Sequence, residues 1–216
     1  MKTVVYIDRF NLYYLALKNT RHKWLNLSSL CDAALPKNCV ITAIHYYTAR
    51  VAIRSNSTSQ KDQNTYLNAL QTLPKLHIHF GSFQAKKKWM FLVQPVQFRP
   101  PHQVPAFPNP EFSRVVKIEE KGTDVNLAAH LVRDAFTNVF EHAVILTNDT
   151  DLKEPVRIVS QETRLPITLL APSNSPADEL RRIATHVRHI SPFFGVSQFP
   201  DPVIGPKGPI AKLSGW

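Results

Sequence analysis

The chain has 216 residues, 44% hydrophobic and 19% charged, an ordinary globular composition that excludes a fibrous or wholly disordered polymer. Its formal net charge of +10 suits a polyanionic partner, nucleic acid before membrane. Two cysteines, Cys31 and Cys39, with no CxxC pair, support neither a disulfide framework nor a structural zinc site.

The first residues, MKTVVYIDRF, carry an acid too early for a secretory leader. No stretch approaches the ~18 apolar residues of a membrane helix. These features predict a cytoplasmic protein with no membrane association. One domain of roughly 150–190 residues plus a tail is expected.

Residues 3–8, TVVYID, are β-branched and aromatic and end in an acid. They predict a buried strand with Asp8 at its carboxyl end. Asn11 opens a helix over Leu12 to Lys18, giving the first half of a βαβ unit. A second helix lies within 24–35, capped by Asn26 or Ser28 and stopped by Pro36. Residues 39–51 are strongly β-forming. Tyr66, Leu67, Leu70 and Leu73 mark a helix over 59–73. A third strand covers 76–83.

The pattern then changes. Lys86, Lys87 and Lys88 run into Trp89 and further apolar residues, and 93–110 holds six prolines in 18 residues. Proline removes ladder donors, so an extended excursion or edge hairpin is expected, with a short strand over 113–119. This basic insert spans about 84–119. Residues 75–121 carry eight Lys/Arg against three Asp/Glu, half of the formal excess. The main fold resumes at Lys121, with Thr123 as helix cap and Val125, Ala128, Val132, Phe136 and Val139 as the inward face. Asp124 falls in the first turn.

The apolar run Ala143 to Leu146 ends in Thr147, Asn148, Asp149, Thr150 and Asp151. Such a run predicts a buried parallel strand, with two acids just past its carboxyl end. Residues 152–163 form a helix with Pro155 in its first turn. Strand 166–171 and a short helix over 176–186 follow, the helix directing Leu180 and Ile183 inward. Residues 191–216, with nine Pro and Gly in 26, have the composition of a tail.

Open α/β sheets bind ligands where strand ends meet at a topological switch point. Asp8, Asp124, Asp149 and Asp151 all fall at such places. Acids brought together repel, and a cation relieves the repulsion. Oxygen-only donors favour Mg²⁺ or Mn²⁺, and such ions in a basic protein suit phosphodiester hydrolysis. The basic insert would grip phosphates, with Lys121 a further contact, and Trp89 could stack on bases. Taken singly, an Asp at a strand end is more often a cap or turn former than a ligand, and the lysines suit an edge guard. His77 and His79 share one strand face and are expected to be polar surface, as are His186 and His189. A phosphotransferase using Asp8 as nucleophile is a further alternative, although Phe10 stands where such enzymes need a second aspartate.

Three segments resemble the NYN family of the PIN-like nuclease superfamily, close to its LabA-like branch. They are IDRFNLYY at 7–14, KGTDVNLAAHLV at 121–132 and LTNDTDL at 146–152. The resemblance runs from Thr3 to about Ile190. It implies a Rossmann-like, PIN-type three-layer α/β/α fold with a mostly parallel sheet over 1–190, followed by a 191–216 tail. It also implies a metal-dependent endoribonuclease acting on single-stranded or structured RNA. Asp8, Asp124 and Asp149 would hold Mg²⁺ or Mn²⁺, Asp151 would complete the acidic shell, and Asn11 would orient Asp8. Thr147 would position the acidic loop or a bound water.

One departure stands out: Arg9 occupies the position of the family's glycine. An arginine there could pair with the acids, or be an inactivating substitution; it is expected to weaken metal binding, and the alternative function is then an RNA-binding module with an impaired site. It could instead point away and hold phosphate. Oligomeric state is left open, a homo-oligomer included.

Overall fold

A computed structural model describes residues 1–50, 57–93, 97, 99 and 111–216. Much of the proline-rich stretch therefore lies outside the described residues. The chain order is β1 (Lys2–Asp8), α1 (Arg9–Asn11, continued by a π-helical turn over Leu12–Leu17), α2 (Leu27–Ala34), β2 (Val40–Ala49) and α3 (Ser57–Leu70). Then come β3 (Leu76–Phe91), β4 (Phe112–Lys121), α4 (Thr123–Phe136), β5 (His142–Leu146), α5 (Lys153–Arg157, continued by a π-helical turn over Ile158–Thr163) and β6 (Ile167–Ala171). α6 (Asp178–Ile183), β7 (His186–His189), β8 (Val203–Gly205) and β9 (Gly208–Ile210) complete it.

Seven strands form one sheet in the order β4-β3-β2-β1-β5-β6-β7. Every pairing is parallel except β3 with β4. β1 and β5 are central, and both are buried along their apolar runs. Alternation along β1 sends Val5 and Ile7 to a core shared with Leu12, Leu30 and Leu70, on the α1–α3 side. Val4 and Tyr6 face Leu127, Leu131, Val156 and Leu180, on the α4–α6 side. Helices thus cover both faces, as the three-layer expectation requires.

Several local expectations are corrected. α1 begins at Arg9, capped by Asp8, because the Asp8 carboxylate accepts the Phe10 and Asn11 amides before Asn11 can act as a start. α4 is entered through Gly122 at φ +99°, and Thr123 is its first residue, not its cap. Its inward face is Leu127, Leu131 and Ala135, while Val125 and Phe136 are exposed. Two apolar stripes compete on this helix, and the one carrying leucines meets Val4 and Tyr6. α6 turns Leu180 inward as predicted. Asn26 caps α2 by accepting from the Ser29 amide at 3.1 Å.

Residues 84–93 and 111–119 do not leave the sheet. β3 runs on to Phe91 and pairs with β4 as a long edge hairpin. Its outer part exposes Trp89 and Phe91, and Phe91 packs on Phe112 with ring centroids 4.2 Å apart.

Residues 191–216 were expected to be a loose tail, yet they pack on the body. Phe194 and Phe199 are buried in the α1–α3 core. The Trp24 indole donates to the Pro200 carbonyl at 3.0 Å, and its ring lies 5.9 Å from that of Trp216. Four aromatic residues in the last 26, Phe193, Phe194, Phe199 and Trp216, outweigh what Pro and Gly content implied.

His77 and His79 do share one face, but not as isolated surface groups. His79 Nε2 lies 2.9 Å from His45 Nδ1, and the Tyr47 hydroxyl lies 2.9 Å from His130 Nδ1. Burial, then the neighbouring His79 and His77, pushes His45 down to about 4.

Candidate active site

The site starts from strand register. Ile7 pairs with Leu146, so Asp8 comes level with Thr147 at the carboxyl edge of the two central strands. This edge is the point from which the sheet order runs outward in both directions.

Asp8 is 2% exposed. Its Oδ1 accepts from the amides of Phe10 (2.8 Å) and Asn11 (3.1 Å). Its Oδ2 accepts from the Asn11 side-chain amide and from Thr147 Oγ1 (3.1 Å). Burial raises its pKa, and these bonds offset only part of the rise. Four donors fill the roughly four lone-pair positions of a carboxylate. Asp8 is thereby held rigidly, and any new ligand on it must displace a hydrogen bond.

Asn11 links the two loops. Its Oδ1 accepts the Asn148 amide at 3.2 Å, while its Nδ2 serves Asp8. Thr147 does the same from the other strand, donating to Asp8 and accepting the Asp149 amide at 3.1 Å. Asp149 then caps the short turn Thr150–Leu152, its Oδ1 accepting the Asp151 amide at 3.0 Å. Asp151 is exposed and Asp149 half-buried.

Asp124 sits in the first turn of α4 and is half-buried. Its pKa is raised to about 6, by burial first and then by the charges of Asp8, Asp149, Glu120 and Asp151. Asp8, Asp149 and Asp151 therefore all raise the cost of a charge on Asp124. Oxygen-only donors with excess negative charge suit a hard divalent cation. As placed, though, no group of three or more His, Cys, Asp or Glu side chains among the described residues could hold a metal ion.

Two residues of this region escaped the sequence reading. Glu120 holds the start of α4, accepting from the Thr123 amide (3.1 Å) and Thr123 Oγ1 (2.6 Å). Gly81 makes room for it, since a Cβ there would lie 2.2 Å from Glu120 Oε1 and 2.7 Å from the Lys121 carbonyl. The second residue is Asn148, whose Oδ1 accepts the Ala177 amide at 2.7 Å and ties the acidic loop to the start of α6. The Glu120–Thr123 spacing was readable as a local cap. Asn148 offered only its place inside the motif.

Arg9 does not pair with the aspartates. Its guanidinium lies 5.0 Å from the Phe10 ring centroid and 4.9 Å from that of Tyr13, and Arg9 lines the same cavity as Tyr46. Its backbone is not in the left-handed region, so the glycine-like turn is absent. On the hairpin, Lys86, Lys87 and Trp89 are exposed. Lys88 and Lys121 sit beside Glu119, at 3.6 Å and 3.4 Å.

With this geometry in hand, a family model for the NYN domain matches residues 2–191. The chain belongs to the NYN family. NYN domains fall within the PIN-like nuclease superfamily, and the mostly parallel sheet between helical layers agrees with that fold. The chain is also 28% identical over 193 residues to 6-hydroxy-3-succinoylpyridine 3-monooxygenase HspA of Pseudomonas putida. That alignment covers 81% of this NYN chain and 60% of the relative, so the chain spans less than two thirds of that relative's length. A crystal structure of a protein of unknown function from Vibrio parahaemolyticus superimposes with a TM-score of 0.55 at 12% identity. It covers 89% of this chain and 94% of that one, a likeness of fold alone. Among the described residues no helix is long and apolar enough to cross a membrane.

Proposed function

We propose that this NYN protein is a metal-dependent endoribonuclease that hydrolyses RNA phosphodiester bonds. What supports the reading is the level register of Asp8 and Thr147 at the central strand ends and the hydrogen bonds that tie Asp8, Asn11, Thr147 and Asp149 together, with Asp124 pushed up by burial and by its acidic neighbours. An anionic cluster of this kind at central strand ends is at odds with itself until a cation enters. Mg²⁺ commonly takes one or two carboxylates and completes its shell with water, so a ready three-residue ligand set is not needed. Asp124 and Asp149 are the residues that would hold Mg²⁺ or Mn²⁺. Asp8, already saturated with donors, would complete the shell only by releasing Asn11 or Thr147. When bound, the ion would activate water and stabilise the leaving oxygen.

The chain's own groups supply the rest. Asn11 and Thr147 keep Asp8 and Asp149 in register across β1 and β5. Asp151 adds negative charge at the mouth of the cleft. Lys87 and Trp89, on one face of the hairpin, grip the strand by phosphate contact and base stacking, and Lys86, Lys88 and Lys121 add positive charge on the other.

The test is cleavage of single-stranded and hairpin RNA with Mg²⁺ or Mn²⁺. Asp149→Asn is expected to lower the rate by roughly a thousandfold while RNA binding persists. Cleavage that survives both chelator and this substitution removes the reading. Salt-sensitive binding without cleavage would assign the chain as an RNA-binding module instead. The competing activity is the one in the relative's name, oxygenation of an aromatic substrate. Oxygen uptake with 6-hydroxy-3-succinoylpyridine and a two-electron donor such as NADH, alongside intact RNA, would establish that activity in place of hydrolysis.

A further inference from the structure

On the α1–α3 side of the sheet, immediately beside the acidic cleft, lies a cavity of about 310 Å³ that the nuclease reading does not use. Its walls are aromatic. Tyr13, Tyr46, Tyr66 and Trp216 line it, with Leu12, Leu17 and Leu67 beneath. Tyr66 spends its hydroxyl on the Leu25 carbonyl at 2.7 Å, which leaves its ring as a wall. Trp216 meets that ring nearly edge-on, with centroids 6.0 Å apart.

Its charge is one-sided. Arg9, Lys18 and Lys23 line the cavity, against the single carboxylate of Asp62. None of these four is in an ion pair among the described residues. The Arg9 guanidinium rests on the Phe10 and Tyr13 rings, which orients it before anything binds. The Lys18 ammonium lies 5.2 Å from the Tyr14 ring. Fixed cations on concave, low-dielectric walls focus a positive potential into the space between them.

We propose that this cavity binds a small planar aromatic anion. The ring lies among Tyr13, Tyr46, Tyr66 and Trp216. The carboxylate or phosphate meets the Arg9 fork, with Lys18 and Lys23 adding charge. The volume lies at the lower end of the range for small-molecule sites and suits one ring with a short anionic arm. Arg9 then belongs to this cavity and not to the acidic cleft. The inference does not rest on the nuclease reading and survives its failure.

Two sources share this chemistry, an aromatic carboxylic acid and a free mononucleotide. Calorimetric titration of the full chain with 4-hydroxybenzoate, 5′-UMP and the neutral 4-hydroxybenzamide separates them. At least one anion is expected to bind roughly tenfold or more tightly than the amide. Lys18→Gln and Lys23→Gln should each weaken that anion by roughly threefold to tenfold, and Trp216→Ala by roughly tenfold. Thermal melts of the lysine variants should match the parent, because both changes leave the apolar wall intact. Equal affinity for the amide overturns the proposal, as does anion binding indifferent to all three substitutions. Binding of neither anion overturns it too. Binding confined to a single-stranded uridylate oligonucleotide would make the cavity part of an RNA path and overturn it as well.

Discussion

Asp8 and Arg9 are consecutive residues that serve two neighbouring regions of opposite charge. Asp8 ends β1 and turns towards Thr147, Asn11 and the acids beyond them. Arg9 begins α1 and turns into the aromatic cavity beneath Trp216. The acidic side is built almost wholly from hydrogen bonds between two loops. The basic side is built from rings. This difference has a physical origin: a buried carboxylate needs several donors, whereas a guanidinium can rest on aromatic faces. One helical step therefore separates charges that would otherwise neutralise each other, and the acids stay unpaired.

The largest expected effect breaks the acidic side outright. Asp8→Ala removes the cap of α1 and strands the side chains of Asn11 and Thr147. Losing a cap costs about 1–2 kcal/mol, and each buried polar group left alone about 1–3 kcal/mol. Urea unfolding should show a total loss of about 3 kcal/mol. Asp8→Asn keeps an acceptor for the Phe10 and Asn11 amides but presents an NH₂ group to Asn11, so an intermediate loss is expected. If the two variants are equally stable, the hydrogen bonds around Asp8 do not hold the two loops together.

What was legible in the sequence follows the same division. Central strands with apolar runs and terminal acids fixed β1, β5 and the place of Asp8, Asp149 and Asp151, because burial on both faces leaves a continuous apolar signature. Asn26, Leu180 and Asp124 fell where local rules put them. The acidic face of the story was thus readable from strand ends and caps. The direction of Arg9 was not, since it depends on Tyr13 four residues on and on a cavity shared with Tyr46 from another strand. Nor was the inward stripe of α4 readable, because Val125 and Phe136 are as apolar as the leucines that won. Trp216, Phe194 and Phe199 dock on surfaces made by Trp24 and α2, and composition averaged over the tail concealed those anchors.

A smaller effect sharpens the account of the acids as mutually repelling. Asp124 titrates near 6 when folded, above its ordinary 3.8, so the folded state holds that proton more tightly than the unfolded chain does. Its contribution to stability is present below about pH 3.8 and is lost as pH rises through about 6. In chelator at pH 7.5, Asp124→Asn should therefore stabilise the protein. Half exposure and solvent screening reduce the expected gain to about 1 kcal/mol, or roughly 2–4 °C in melting temperature. At pH 4 the gain should shrink towards zero, and added Mg²⁺ should help the parent more than the variant. A destabilised variant, or a gain independent of pH, would mean that the acids do not share one cleft.

The smallest effect is expected where the sequence pointed to a large one. An arginine beside Asp8, in place of the family's glycine, looked like a built-in counterion for the site. Its guanidinium instead rests on Phe10 and Tyr13, and it makes no ion pair with any aspartate. Arg9→Gly should leave Mg²⁺ affinity within about twofold and RNA cleavage nearly unchanged, because a charge held on the far side of the strand end is largely screened. The same substitution should weaken whatever anion the aromatic cavity takes, by roughly tenfold or more. Isothermal titration of one variant with Mg²⁺ and with 4-hydroxybenzoate measures both sides of the comparison at once. A tenfold rise in Mg²⁺ affinity would return Arg9 to the acidic side, and the separation of charge at residues 8 and 9 would then be a feature of the ion-free protein alone.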